Sequence, residues 1–231
     1  MSEDLFDRYF YFIMSLVIAG VVIYGFSHTI NENLIHPAYP RPLVLYFHAA
    51  IFTGWVALLI TQSALIRARN IKLHRKVGLC ALALAIALPI IGIATGVAMA
   101  RFNTQHGSTD ATEFLIVPFF DMVAFTIIVG LAIIWRRKPE YHRRLMFLAA
   151  CALTIAAFNR FPASIVPENW GYAGVDVLIL LGVGRDLFVT KHVHPVYRYG
   201  LPLMIFGQAL TMYIYLTREP EWMRIGHRII G

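Results

Sequence analysis

The run Leu43 to Ile66, LVLYFHAAIFTGWVALLITQSALI, is followed at once by Arg67, Arg69, Lys72, His74, Arg75 and Lys76, and it restricts the fold more than any other stretch. About 20 apolar residues rising ~1.5 Å each cross a hydrocarbon layer ~30 Å thick. The run meets that requirement, so it reads as a membrane span, and the remaining chain must supply helices for it to pack against. Short loops rich in Lys and Arg stay cytoplasmic. Ile66 is therefore expected inside and Leu43 outside.

Composition agrees with a membrane environment. The 231 residues are 58% hydrophobic and 14% charged, with a mean hydropathy of +0.64, against about 45–50% apolar and ~25% charged for a soluble domain. One all-α polytopic bundle, a single transmembrane domain over 1–231, accounts for this. The net charge of +7 does not imply nucleic acid, because most cations lie in loops between apolar runs, where topology and anionic headgroups explain them. The main partner is the lipid bilayer. Cys80 and Cys151 both fall in apolar runs and read as packing residues rather than a disulfide or metal pair. The N-terminus, MSEDLFDRYF, is acidic where a secretory signal is positive, so the first span is expected to be retained.

Apolar windows predict seven spans, at about 9–26, 43–66, 77–100, 114–135, 145–163, 171–189 and 197–217. Every second loop is basic. The 67–76 loop holds five cations, the 136–144 loop holds Arg136, Arg137, Lys138, Arg143 and Arg144 against Glu140, and the 185–198 loop holds Arg185, Lys191 and Arg198 against Asp186. The loops between are near neutral: Glu32 and Arg41, then Arg101 against Asp110 and Glu113, then Glu168. This alternation predicts a multi-pass protein with its N-terminus in the cytoplasm and its C-terminus outside. A loose repeat accompanies it: His74, His142 and His194 each stand at the start of a returning helix. Gly92 and Gly96, and the stripe Ala149, Ala152 and Ala156, allow close helix packing. Pro89 and Pro162 are expected to bend their spans. Trp135, Tyr141, Trp170 and Tyr172 fall where interfacial aromatic belts belong. Residues 218–231 read as a short amphipathic surface helix.

Ionisable residues within spans are costly, roughly 2.5–3.5 kcal/mol for a central Asp or Arg. His48, Asp121, Arg160 and Asp176 all lie ~5–11 Å below the outer boundary when counted at ~1.5 Å per residue. They share one layer on four different spans. Arg160 follows the alanine stripe, while His48, Trp55 and Gln62 share a face of the second span. Two carboxylates, a guanidinium and an imidazole could bind a small ligand or metal, or move a proton; equally, they could be a buried ion-pair network. His74, His142 and His194 form a second set at the cytoplasmic face, where they suit headgroup anchoring and helix capping, or ligation of haem or a transition metal.

Specific mechanisms can be tested against the residue types present. A retinal Schiff base needs a lysine within a span, and Lys72, Lys76, Lys138 and Lys191 are all in loops. Two stacked haems need two histidine pairs across the bilayer, and the outer layer embeds only His48. A seven-span zinc hydrolase finds suitable residue types in His48, Asp121 and Asp176, but no H-x-x-x-H helix motif.

The stretches F-H-A-A-I-F-T-G-W at 47–55, L-H-R-K-V-G at 73–78, P-F-F-D-M at 118–122, Y-H-R-R-L-M at 141–146, N-R-F-P at 159–162 and V-H-P-V-Y at 193–197 together resemble a family of uncharacterised bacterial multi-span membrane proteins. H-R-R-L-M is also similar to a stretch in small membrane proteins linked to haem–copper oxidase assembly. These resemblances imply His48, His74, Asp121, His142, Arg160, Asp176 and His194 as the positions of interest and imply no established activity. The leading expectation is an outer-leaflet polar site for a cofactor, metal or small ligand, in a redox role beside respiratory-complex proteins. A proton-coupled transporter, a membrane hydrolase and a purely structural or assembly role are the alternatives.

Overall fold

A computed structural model describes residues 2–107 and 111–231, without the side chains of residues 2–8. Asp110 and the acidic side chains before Tyr9 lie outside the described residues. Among the described residues there are nine α-helices: α1 Ser2–Ser27, α2 Leu43–Arg67, α3 Ile71–Gln105, α4 Ile116–Ile134, α5 Pro139–Ala152, α6 Ile155–Phe158, α7 Gly171–Val189, α8 Pro195–Thr217 and α9 Pro220–Ile230. A π-turn at Asn31–Ile35 and a 3-10 turn at Glu113–Leu115 complete the helical structure.

Five stretches are long and apolar enough to cross a membrane: Tyr9–Ser27, Leu43–Arg67, Ile71–Gln105, Glu113–Ile134 and Pro195–Thr217. The fifth and sixth expected spans differ from these for physical reasons. α7 is 19 residues long but carries Asp176, Arg185 and Asp186. The expected helix over 145–163 is interrupted after Ala152. There the Thr154 amide and hydroxyl both donate to the Cys151 carbonyl, at 2.9 and 2.6 Å. That closure tightens the turn and diverts the carbonyl from its usual partner four residues on.

Ring and ion contacts identify the two ends of the bundle. At one end Arg67 lies over Tyr9 and Phe12, and Arg143 over Tyr11, so the start of α1 sits beside the α2–α3 and α4–α5 turns. This is the basic-loop end. At the other, Arg160 reaches Thr29 just beyond α1, Arg218 pairs with Glu113 at 2.8 Å, and Arg101 donates to the Ile230 and Ile229 carbonyls at 2.6 and 2.9 Å.

The core lies among α1, α4, α5, α7 and α8, where Phe125, Ala149, Cys151, Val175 and Ile179 are wholly buried. The α2–α3 hairpin is peripheral: Trp55 is the buried residue of α2, and Leu79, Leu82, Ile86 and Ile90 form an exposed stripe at helical spacing along α3. In a membrane such a stripe is the lipid-facing side. Gly92 and Gly96 meet α4 as the small-residue pattern predicts; a side chain at Gly92 would run into Met122, and one at Gly96 would press on Pro118. Cys80 and Cys151 are both free thiols, Cys80 exposed and Cys151 buried. The surface helix expected at the C-terminus forms as α9. Glu219 caps it by accepting from the Trp222 amide at 2.7 Å, and Arg101 holds its last carbonyls.

Candidate functional site

The four residues expected in one polar layer all occupy the half of the bundle away from the basic loops, and they fall into two pairs. Asp121, on the inward face of α4, is 4% exposed and accepts a hydrogen bond from the Tyr172 hydroxyl of α7 at 3.0 Å. Asp176 lies one helical turn beyond Tyr172 on the same face of α7 and faces Gln208 of α8. Asp176 and Gln208 thus meet side chain to side chain as hydrogen-bonding partners. α7 thus brings the two carboxylates into one neighbourhood through Tyr172.

Arg160 and His48, the other pair of expected residues, each have partners of their own. Arg160 sits in the turn after α6, whose position is set by α1: a side chain at Gly25 would collide with the Ala157 backbone. Its Nε donates to Thr29 Oγ1 at 3.2 Å, its Nη1 donates to the Ala156 carbonyl, and its guanidinium lies 4.4 Å from the Phe26 ring centre. Among the described residues, no Asp or Glu forms an ion pair with it. His48 stacks on Phe52 with ring centres 4.0 Å apart, and its Nδ1 is buried without a partner. Trp55, one heptad on from His48, packs edge-on against Phe125 of α4 with ring centres 5.2 Å apart.

Partners outside the ionisable set were not singled out by sequence. Tyr172 reads as an interfacial aromatic from its position, yet it is 6% exposed and serves Asp121. Gln208 is an uncharged amide in an apolar run, a signal passed over when only ionisable side chains are counted. Gln62 turns to the hairpin partner instead of the layer, and with its amide oriented to match its neighbours the nitrogen donates to His74 Nδ1 and the oxygen accepts from the Gly78 amide.

The basic-loop end holds the strongest electrostatics in the molecule. Arg144, 1% exposed, donates to Asp186 through Nε at 3.1 and 2.9 Å and through Nη2 at 2.6 Å. Arg185 adds a bond to Asp186 at 2.7 Å, and the His194 amide one at 3.2 Å. Arg144 also reaches Glu140 at 2.6 Å. Two guanidiniums thus share one wholly buried carboxylate, with Glu140 at the rim. Partial burial pushes the Glu140 carboxyl up, but Arg144 and Arg143 outweigh it and hold it below its ordinary value. Partial burial, with Arg144 nearby, holds the His194 imidazole below its ordinary value as well.

The histidines at this end have structural partners. His142 Nδ1 bonds the Ala132 carbonyl at 2.8 Å and ties α5 to α4. His194 caps α8 by accepting from the Val196 amide at 3.2 Å. Among the described residues, no three His, Cys, Asp or Glu side chains gather as ligands for a metal ion. Two apolar grooves, about 180 Å³ beside Pro89 and Met122 and about 370 Å³ between α1 and α7, open on the outside of the bundle. Neither is lined by His48, Asp121, Arg160 or Asp176.

The fold therefore defines a class: this is a multi-span, all-helical membrane protein. In comparisons with known proteins, the chain matches no family model, no curated protein and no solved structure.

Proposed function

We propose a seven-span protein of the bacterial inner membrane, N-terminus cytoplasmic and C-terminus outside, that binds a small ligand or cofactor in the polar layer around Asp121, Asp176, His48 and Arg160. Length supports the two additional spans: 19 residues of α7 reach ~28 Å, and the rod from Pro139 to Phe158 is of similar length. Pairing of Asp186 with Arg144 and Arg185 removes most of the electrostatic objection to placing α7 in a bilayer. The observation that carries the ligand reading is His48 Nδ1, buried without a hydrogen-bond partner in the same half of the bundle as the two carboxylates. Each buried polar group without a partner costs about 1–3 kcal/mol. A bound molecule with its own donors and acceptors offsets that cost.

Native mass spectrometry of the purified protein tests this. A small molecule is expected on the wild-type chain and lost from Asp176→Asn and His48→Ala; wild-type protein without an adduct overturns the reading. The redox form of the proposal, haem or metal handling beside respiratory-complex proteins, draws on the His-Arg-Arg-Leu-Met stretch and on His48. Visible absorption and elemental analysis of the same preparation decide it, since a colourless, metal-free protein removes that form alone.

One observation favours a second reading, a proton-coupled carrier. Asp121 is buried with a neutral hydroxyl as its hydrogen-bond partner, an environment in which a carboxyl is stable protonated and can exchange a proton. In proteoliposomes containing a pH-sensitive dye, Asp121→Asn is expected to abolish any proton flux. Equal flux in wild type and variant removes this reading.

A further inference from the structure

The larger of the two outer grooves ends against the ionic cluster. It encloses about 370 Å³ between α1 and α7, walled by Phe10, Ile13, Met14, Leu180, Leu181 and Gly184, with Arg185 nearest the basic loops. That volume is at the low end of ligand pockets, about 300–1,000 Å³. A side chain added at Gly184 would meet nothing within 4 Å, so the glycine leaves the groove open. Around it Ile13, Leu16, Leu180, Leu181, Leu187 and Phe188 are exposed, and in a bilayer this face meets hydrocarbon. An apolar cleft gives water no polar partners, and an empty one forfeits the contacts of its lining. Hydrocarbon is the filler that the surroundings supply.

Two basic turns frame the polar end of this groove. Phe10 packs edge-on against Tyr11 and against Phe147 of α5, with ring centres 5.1 and 6.0 Å apart, and Arg143 lies 5.4 Å from the Tyr11 ring centre. The α4–α5 turn is therefore beside it. The α7–α8 turn begins just past Val189, about 6 Å along the helix axis from Arg185. These turns and the start of α8 expose Arg136, Arg137, Lys138, Lys191 and Arg198. Their one exposed carboxylate, Glu140, already accepts from Arg143 and Arg144 at 2.7 and 2.6 Å. The smaller groove, beside Pro89 and Met122, has no charged residue in its lining. We infer that the α1–α7 groove seats an acyl chain of an anionic phospholipid, with the headgroup phosphate among the cations of the two turns. Such a lipid satisfies both halves of the site, whereas a zwitterionic one matches only the groove. The site is separate from the polar layer. It rests on the reading of α7 as a membrane crossing, which labelling of Lys138→Cys and Glu168→Cys from opposite sides tests independently.

The test uses the full-length protein in nanodiscs holding equal amounts of phosphatidylglycerol and phosphatidylcholine, released into a neutral detergent and weighed by native mass spectrometry. Wild type is expected to retain a phospholipid and to favour phosphatidylglycerol about fivefold or more, the factor that one cation near the surface supplies. High salt should reduce that preference. Gly184→Leu fills the groove and should abolish retention. Gly184→Ala, a smaller intrusion, should weaken it, and carries the comparison if the leucine variant fails to fold. Gly20→Leu, on α1 where an added side chain also meets nothing, should leave retention unchanged. Replacing Arg136, Arg137 and Lys138 together by Gln should keep a lipid but lower the preference. Lipid-free wild type, equal retention of the two phospholipids, or wild-type retention in both Gly184 variants overturns the inference. A polar-layer ligand is told apart by its mass and by its loss from Asp176→Asn and His48→Ala, so either reading can fail without the other.

Discussion

Asp186 shows how one buried side chain can hold several others in place. It accepts from Arg144, Arg185 and the His194 amide, and all three side chains of the ionic core are nearly sealed from solvent. Asp186→Asn removes the buried anion that Arg144 and Arg185 share and leaves Glu140 at the rim as the anion on Arg144, so it is expected to destabilise by about 3–5 kcal/mol, the range for removing one partner of a buried pair. Arg144→Met leaves Arg185 to neutralise Asp186 and should be milder; denaturant titration in mixed micelles compares the two. The same cluster sets an acid response. His194 is held below its ordinary 6.5, so the unfolded chain takes up its proton first and stability falls as pH drops through 6.5. Glu140 is held below its ordinary 4.5, so its contribution is present above that value and is lost as pH falls further. Melting temperature should therefore be flat above about pH 7 and decline in two stages on acidification. His194→Asn, which retains a capping acceptor, should diminish the first stage, and Glu140→Gln the second.

Helix contacts decide where these side chains can act. α6 is only four residues long, yet it sets the position of Arg160 because Gly25 lets α1 lie directly on the Ala157 backbone. Gly25→Leu is expected to push α1 away and cost roughly 1–3 kcal/mol, as overpacking does. The larger effect should be on the turn carrying Arg160: hydrogen exchange at residues 156–161 should accelerate while the Arg144–Asp186 end stays protected. Uniform acceleration along the chain would contradict this division. Hydropathy could not reveal the break between α5 and α6. It arises from the Thr154 bonds to Cys151 and leaves composition unchanged. The α3–α4 contact was readable, because Gly92 and Gly96 announce a close approach wherever the partner lies.

Across the whole molecule, polarity separates two ends with different constructions. The basic-loop end buries its ion pairs, Arg144 and Arg185 against Asp186, whereas at the far end Asp121 rests on Tyr172 and Arg160 on Thr29, and the ion pair of Arg218 with Glu113 lies nearer the surface. Seven crossings predict opposite sides for the 136–138 and 164–170 connections. In a Cys80→Ser, Cys151→Ala background, a membrane-impermeant maleimide should label Glu168→Cys on intact spheroplasts and Lys138→Cys only after permeabilisation. Labelling of both on the same side would require the rod from Pro139 to Phe158 to lie along the membrane instead of through it.

Hydrophobic length and the placement of charge along the chain were sufficient for an all-helical membrane bundle, because a bilayer leaves a run such as Leu43–Ile66 no other way to satisfy its backbone. They also placed His48, Asp121, Arg160 and Asp176 in the same half, since depth follows from counting residues along a helix. Partnership does not follow from depth. Only the packing of α7 against α4 and α8 set Tyr172 on Asp121 and Gln208 before Asp176, and only the contact of α1 with α6 gave Arg160 neutral neighbours. Rotation about each helix axis, which hydropathy leaves undetermined, is fixed by side chains from distant parts of the chain.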